Sequence, residues 1–422
     1  MLTVPGKDGT MAEQLCNRPL AGIRVIELTG YGAGPMAGKV LGNWGADVIK
    51  VEPPAGDPSR TGGVALGLPA TEGANPHFEQ KDSNKRSIAL DLKTPEGAAV
   101  MDKLIASANI FISNFRLKAL KKLGLDYETL STKYPSLIWG HISGFGTEGP
   151  EANNPGFDTV SYWAKSGMLI DFCEEGYAPL TPPFGLGDTL IGSSLAGGVA
   201  ACLYQQKMTG KGEKVVTSLY GMGMFSEAWV LQSVYRGAQY PRSRKYPDSP
   251  MRNTYKTKDN EWVFVSVLLY DKFFPVFCKL IGHDELINNP RFNSETQIMK
   301  DKEAAREFVE MTDKAFASKT WEEWHQILLE NCIAHDKINH MSETLLDNPQ
   351  TVANNNAYLY TNRDGSEDLI VADPIRFGGF YKIPFQNAPL CGEQTSEILQ
   401  ECGYDKEQIG KMIETGVAIQ HS

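Results

Sequence analysis

The sequence predicts an α/β protein: a large domain built on a doubly wound, mostly parallel sheet, and a smaller α+β domain. Three observations carry this. Short β-branched runs alternate with helical segments through the first half of the chain, the pattern of βαβ units. The 422 residues exceed what one ordinary core organises. Beyond about residue 225 the texture changes to helices rich in Lys, Glu and Trp around one strong strand.

Residues 1–17 lack the basic-then-apolar layout of a secretory signal and read as an N-terminal arm. Residues 23–28 form a first strand, the glycine-rich segment 32–43 a helix, and 47–52 a second strand stopped by Pro53-Pro54. The alternation continues with a helix at 96–108, a strand at 109–113, helices at 117–123 and 127–133, and a strand at 137–142. The glycine- and proline-rich stretch 144–188 reads as loops around one short helix, 158–167. A small-residue helix over 189–208 and a strand over 214–219 complete a large domain of residues 18–224. The smaller domain spans 225–345, with a strand at 262–267. Residues 346–422 form a linker and a C-terminal segment that returns to the large domain. There is no internal repeat.

Composition narrows the function. A net charge of −10 argues against nucleic acid as the main partner, because phosphate backbones need a basic face. Apolar stretches are interrupted by charge or glycine before ~18 residues, so no membrane span is expected. Seven cysteines without a CxxC pair favour a reducing cytoplasm over a disulfide framework, and the seven histidines show no ligand spacing, so no metal is expected.

Asp188 is the leading catalytic candidate. It closes Phe184-Gly-Leu-Gly-Asp188 at a helix start, where backbone N–H groups and the dipole favour an ionised carboxylate and the glycines allow close ligand approach. Its plainer reading is a helix N-cap. Gly32-x-Gly34-x-x-x-Gly38, followed by Glu52, approximates a dinucleotide fingerprint with one spacing too long; its plainer reading is a tight strand-helix turn. Arg60, Lys85, Arg86, Arg116 and Lys121 fall near strand ends, where open α/β sheets bind ligands, and point to a phosphorylated ligand. His141 lies within a strand and reads as structural, and Thr209-Gly-Lys-Gly212 as a helix C-terminal turn.

Together these pieces carry a resemblance. Pro19 to Leu28, Ala33-Gly-Pro35, Leu41 to Arg60, Asn84 to Lys93, Asn114-Phe-Arg116, Ser143 to Pro150, Pro155-Gly-Phe-Asp158, Gly187-Asp188 and Ala388 to Glu393 resemble the class III coenzyme A transferases. The resemblance covers about residues 18–417 and is closest to the 2-hydroxyacyl transferases of anaerobic bacteria, such as those acting on phenyllactate or 2-hydroxyisocaproate. It implies a Rossmann-like large domain and an interlocked homodimer. It implies Asp188 as nucleophile, with coenzyme A as substrate rather than resident cofactor, lying along Tyr31, Gly32, Arg60, Lys85, Arg86, Asn114, Phe115 and Lys121. The partners implied are an acyl-CoA and a small carboxylic acid. The chemistry implied is an aspartyl anhydride followed by an aspartyl-CoA thioester.

The family also holds α-methylacyl-CoA racemases, which carry histidine where this chain has Phe157. That subgroup of 2-hydroxyacyl transferases has histidine after the aspartate, where this chain has Thr189. An NAD-dependent oxidoreductase and a non-catalytic acyl-CoA-binding subunit are the remaining alternatives.

Overall fold

The computed structural model describes residues 18–71, 73–378 and 385–421; the predicted N-terminal arm, 1–17, lies outside the described residues. The chain divides into two compact units. One draws on segments of Met1–Ser166, Pro182–Leu231 and Pro349–Ser422, the other on Gly167–Thr181 and Gln232–Asn348. The sequence reading keeps 167–181 with the large domain; in the structure this segment groups with the second unit.

In the first unit the elements run β1 (Arg24–Leu28), α1 (Ala33–Asn43), β2 (Asp47–Glu52), α2 (Pro76–Asp82), β3 (Arg86–Leu90), α3 (Pro95–Ala106) and β4 (Ile110–Ser113). They continue with α4 (Leu117–Lys122), α5 (Tyr127–Lys133), β5 (Ile138–Ser143), α6 (Leu186–Thr209), β6 (Lys214–Ser218), α7 (Leu219–Ser226) and α8 (Ala228–Tyr235). Between β5 and α6 the chain makes a π-helical turn, Asp158–Ala164, where the sequence predicts a short helix.

The second unit holds β7 (Arg252–Lys256), β8 (Trp262–Ser266), α9 (Tyr270–Leu280), α10 (Lys302–Phe316), α11 (Trp321–Glu330) and β9 (His335–Lys337). Its strands form an antiparallel sheet in the order β7-β8-β9. Tyr255, Phe274, Phe277, Phe308, Phe316 and Trp324 fill its core, with Phe316 and Trp324 stacked at 4.3 Å. The chain then returns to the first unit through β10 (Ala357–Thr361), β11 (Glu367–Val371), α12 (Thr395–Glu401), α13 (Lys406–Glu414) and β12 (Ala418–Ile419).

The first unit's main sheet runs β12-β3-β2-β1-β4-β5-β6, parallel throughout except for β12 at the edge. Strands β1 to β5 are buried on both faces, which is why they read as apolar runs rather than alternating ones, while the edge strand β6 is only partly buried. One face packs Ile26, Ile49, Phe111 and Trp139 against Val100, Leu104 and Ile105 of α3 and Ile398 and Leu399 of α12. On α6, Gly192 brings the helix so close to α1 that a side chain there would meet Met36 and the main chain of Ala33 and Ala37. α6 is long and apolar enough to cross a membrane by length and composition. The sequence reading missed this because it stopped at the helix's glycines and charged ends. Only Gly187, Ile191, Gly192, Leu195, Ala196 and Val199 of α6 are buried within the chain.

Candidate active site

The strand order reverses between β1 and β4, and ligands of open α/β sheets bind outside the carboxyl ends of strands at such a switch point. A cleft of about 540 Å³ lies there. The residues following β1 (Thr29 to Gly32), β2 (Pro53, Asp57), β4 (Asn114 to Leu117) and β5 (Gly144) line it, with Pro155 to Phe157 and Asp188.

Asp188 stands in the first turn of α6. It is not the N-cap: Gly185 is, in the left-handed conformation (φ 80°), with no side-chain cap of its own. The cap comes from a distant segment, where the Gly185 N–H donates to Asp158 Oδ2 at 3.0 Å. Asp158 is buried, and its Oδ1 has no hydrogen-bond partner among the described residues. The two carboxylates therefore share one helix terminus.

Burial pushes the Asp188 pKa up to about 7; the neighbouring Asp158 adds to this and Lys81 opposes it. This corrects the expectation of a carboxylate ionised at neutral pH without tuning. Desolvation and a like charge outweigh the helix dipole, whose effect is a fraction of a pKa unit to ~1.5 units. Asp188 accepts no hydrogen bond from the described residues and packs against Gly32, where any side chain would collide with its Oδ2.

The loop opposite is tied down from two sides. Asn114 spans Gly30: its Oδ1 accepts from the Gly30 N–H at 3.0 Å and its Nδ2 donates to the Gly30 carbonyl at 2.8 Å. Asp57 Oδ1 accepts from the Tyr31 N–H at 3.3 Å. Tyr31 itself adopts φ 64°, a conformation a bulky residue seldom takes. Phe115 follows Asn114 on the cleft wall, and its carbonyl accepts from His141 Nε2 at 2.9 Å. His141 is buried, stacked on Trp139, and its pKa is lowered by burial; it lines the cleft, and its Nδ1 has no hydrogen-bond partner among the described residues.

Of the coenzyme-contact residues the resemblance implies, the structure brings Tyr31, Gly32, Asn114 and Phe115 to the cleft and leaves the others off its walls. Arg86 opens β3, so it sits at the amino end of the sheet. There it pairs with Asp47, Glu397 and Glu401. Lys85 is fully buried, bound to Glu27, Asp82 and the Pro35 carbonyl at 2.8 Å each. Arg60 is held by Glu52 and by the Pro389 carbonyl. Lys121 is exposed in the second turn of α4.

The cation among the described lining residues is Arg116, exposed at the N-cap of α4. The sequence places it among the strand-end cations that suit a phosphorylated ligand, but the resemblance does not name it as a coenzyme contact. Asp158 has no role assigned from the sequence, and no local signal marks it as the cap of a helix 27 residues away. Thr189 turns its hydroxyl back to donate to the Gly185 carbonyl at 2.9 Å.

The chain's similarity to known proteins follows the same lines. Residues 20–395 match the model of CoA-transferase family III. The chain belongs to CoA-transferase family III. It is accordingly a transferase and, like other family III proteins, has CoA thioesters as its substrates. Among its relatives, (R)-2-hydroxy-4-methylpentanoate CoA-transferase of Clostridioides difficile is 35% identical, the match covering 94% of this chain and 99% of the relative. Cinnamoyl-CoA:phenyllactate CoA-transferase of Clostridium sporogenes is also 35% identical, over 93% and 95%. The crystal structure of Rv3272 from Mycobacterium tuberculosis superposes with a TM-score of 0.77 at 26% identity, covering 90% of this chain and 98% of that one.

Family III membership removes the need for a dinucleotide reading of the glycine run, and the geometry agrees. Gly34 abuts Thr29 and Asn114, and Gly38 abuts Glu27, so these glycines serve packing. Glu52, the would-be ribose acid, is buried and already accepts from Arg60, Ser87 Oγ and the Asp57 N–H.

Beneath the cleft of this family III chain lies a buried charge network. Lys50 meets Asp57 at 2.9 Å, Asp82 at 3.2 Å and Glu27 at 3.4 Å. Burial works against the Lys50 charge, yet Asp82, Asp57 and Glu27 hold its pKa well above the ordinary value. Burial likewise opposes ionised Asp82, but Lys50, Lys85 and Lys81 hold it well below the carboxylate range. Through Asp57 this network supports the Tyr31 loop.

Proposed function

We propose that the protein transfers coenzyme A from an acyl-CoA to a free 2-hydroxy acid, with Asp188 as the nucleophile. The observation that carries this is a carboxylate without a hydrogen-bond partner among the described residues, set at the mouth of the switch-point cleft against Gly32. The relatives named for 2-hydroxy-4-methylpentanoate and phenyllactate supply the substrate class.

In this reading an Asp188 oxygen attacks the thioester carbonyl, the C–S bond breaks, and CoA leaves as thiolate, giving a mixed anhydride. The thiolate attacks the aspartyl carbonyl and expels the first acid as its carboxylate, leaving aspartyl-CoA. The acceptor's carboxylate attacks this thioester to form a second anhydride. The released thiolate then takes the new acyl group and Asp188 returns as a carboxylate. Covalent catalysis divides one acyl exchange into steps of similar, lower barriers.

Asp188 must be ionised to begin, so its elevated pKa sets an acidic limb on activity. The main-chain N–H groups at the start of α1, next to Gly32, are the donors suited to the oxyanion that forms at each carbonyl. Arg116 and the Asn114–Phe115 turn are suited to the phosphates of coenzyme A.

Racemisation needs a second acid-base group facing the acyl α-carbon, and Phe157 at the position of the racemase histidine carries no proton. The oxidoreductase reading has lost its ribose acid, and a retired binding subunit has no use for Asp188 in the cleft.

A second copy of the chain is part of the proposal. Leu190, Tyr204 and Met208 of α6, with Phe225 and Trp229 beyond it, leave an exposed apolar face beside the edge strand β6. Light scattering on the purified protein should give the mass of a dimer.

The functional test is a panel of acyl-CoA donors and carboxylic acids with product thioesters identified by mass spectrometry. The proposal expects exchange onto 2-hydroxy acids by the native chain and none by Asp188→Asn. Exchange that survives this substitution, or proton exchange at the acyl α-carbon without transfer, overturns it.

A further inference from the structure

We infer that Tyr31 and Phe157 form one aromatic wall of a slot for the acyl side chain, so that the preferred acids carry an aryl or branched-alkyl substituent. This rests on the transferase reading and adds to it the part of the substrate beyond the 2-hydroxy carboxylate.

The two rings touch edge to face on the cleft wall, their centroids 5.6 Å apart at 82°, so they present one continuous aromatic surface. Both are more than half exposed, Tyr31 at 53% and Phe157 at 54%, and both line the cleft. Rings shown to solvent in a concave site are unfinished apolar contacts. Neither is a loose surface side chain. Tyr31 is presented by a left-handed backbone that Asp57 and Asn114 hold in place. A bulky residue kept at positive φ by dedicated bonds is strain retained for a purpose.

Each ring is also one residue from a group that touches the Asp188 turn. Gly32, after Tyr31, packs on the Asp188 carboxylate; Asp158, after Phe157, caps Gly185 three residues before it. The slot therefore opens beside the reacting carbonyl. The adenine of coenzyme A, separated from its sulfur by the diphosphate and the whole pantetheine arm, cannot occupy a slot next to the thioester. An anionic acyl tail is disfavoured, because the one cation among the described lining residues is Arg116, which the transferase reading uses for phosphate.

The test separates this inference from the transferase reading by measuring binding apart from turnover. The Asp188→Asn protein, and the same protein carrying Phe157→Ala or Tyr31→Ala, are titrated calorimetrically with 3-phenylpropanoyl-CoA, acetyl-CoA and free CoA. The expected result is an aryl thioester bound about tenfold more tightly than acetyl-CoA, the scale of burying one ring against an aromatic wall. Phe157→Ala should erase that margin and leave free CoA unchanged; Tyr31→Ala, at a residue also set against coenzyme A, should weaken the aryl thioester more than free CoA. Because both rings are exposed, folding should persist, and Phe157→Leu should keep part of the margin. No margin in the parent, a margin that survives both alanines, or equal weakening of all three ligands overturns the slot. If the margin appears while the native chain transfers nothing, the slot stands as an acyl-CoA site and the transferase reading falls.

Discussion

Two groups of buried carboxylates in the first unit meet opposite fates. Under the cleft, Asp82, Asp57 and Glu27 share Lys50, Lys81 and Lys85, and Asp82 is held well below the carboxylate range despite its burial. At the cleft's lip, burial and the neighbouring Asp158 raise Asp188 to about 7, with Lys81 opposing them. Burial is common to both, so the difference lies in charge balance. Where cations match the acids, the charges support a loop; where acids outnumber cations, one acid is kept reactive.

The sharpest way to break this comparison is to remove the reactive acid. Asp188→Asn should lower transfer by roughly three orders of magnitude or more, the scale for loss of a covalent nucleophile. It should also raise stability above neutral pH. The sign follows from linkage: with a folded pKa above the unfolded one, the native state binds more protons between about 4 and 7. Stability from protonated Asp188 is thus full below the unfolded value and lost as pH rises through about 7. Asparagine avoids that loss, so the variant's Tm at pH 8 should exceed the native one by ~3 °C, measured calorimetrically.

Lys50→Met tests the other side. It strands Asp57, Asp82 and Glu27 around a neutral side chain, and urea denaturation should show a loss of roughly 3–5 kcal/mol. A neutral result would mean the network is solvated in solution.

Gly32→Ala is next. Its methyl collides with Asp188 Oδ2, so transfer should drop by roughly a hundredfold while stability changes little. The smallest effect is expected from Asp158→Asn, which retains an acceptor for the Gly185 N–H but removes the like charge. The acidic limb of kcat/KM, expected near pH 7 in the native chain, should move to lower pH, with severalfold higher relative activity at pH 5.5. An unmoved limb would show that burial alone raises Asp188.

Much of this was legible before the structure. Strand-helix alternation pointed to the parallel sheet because the β-branched runs of its central strands are buried on both faces, and β2 spans 47–52 as read. Asp188 stood out through Gly185 and Gly187 before it and through the resemblance, although the local pattern alone favoured an N-cap, a place the structure gives to Gly185. Two of the expected cations lie off the cleft walls for a geometric reason. Arg86 and Asn114 both adjoin strand ends, but one opens β3 and the other follows β4, which places them at opposite ends of the sheet. Lys85 reads as a surface cation until Glu27 and Asp82, brought from other elements, bury it. The raised pKa of Asp188 was invisible because its burial is set by the fold and its neighbour Asp158 arrives from 30 residues away in sequence.

The most direct test of the account is chemical trapping at Asp188. The native protein, exchanging CoA between an acyl-CoA and a 2-hydroxy acid, is quenched with hydroxylamine, digested, and mapped by mass spectrometry. The account predicts a hydroxamate on the Asp188 side chain that requires acyl-CoA and is absent from Asp188→Asn. Active exchange with that side chain never modified would contradict it.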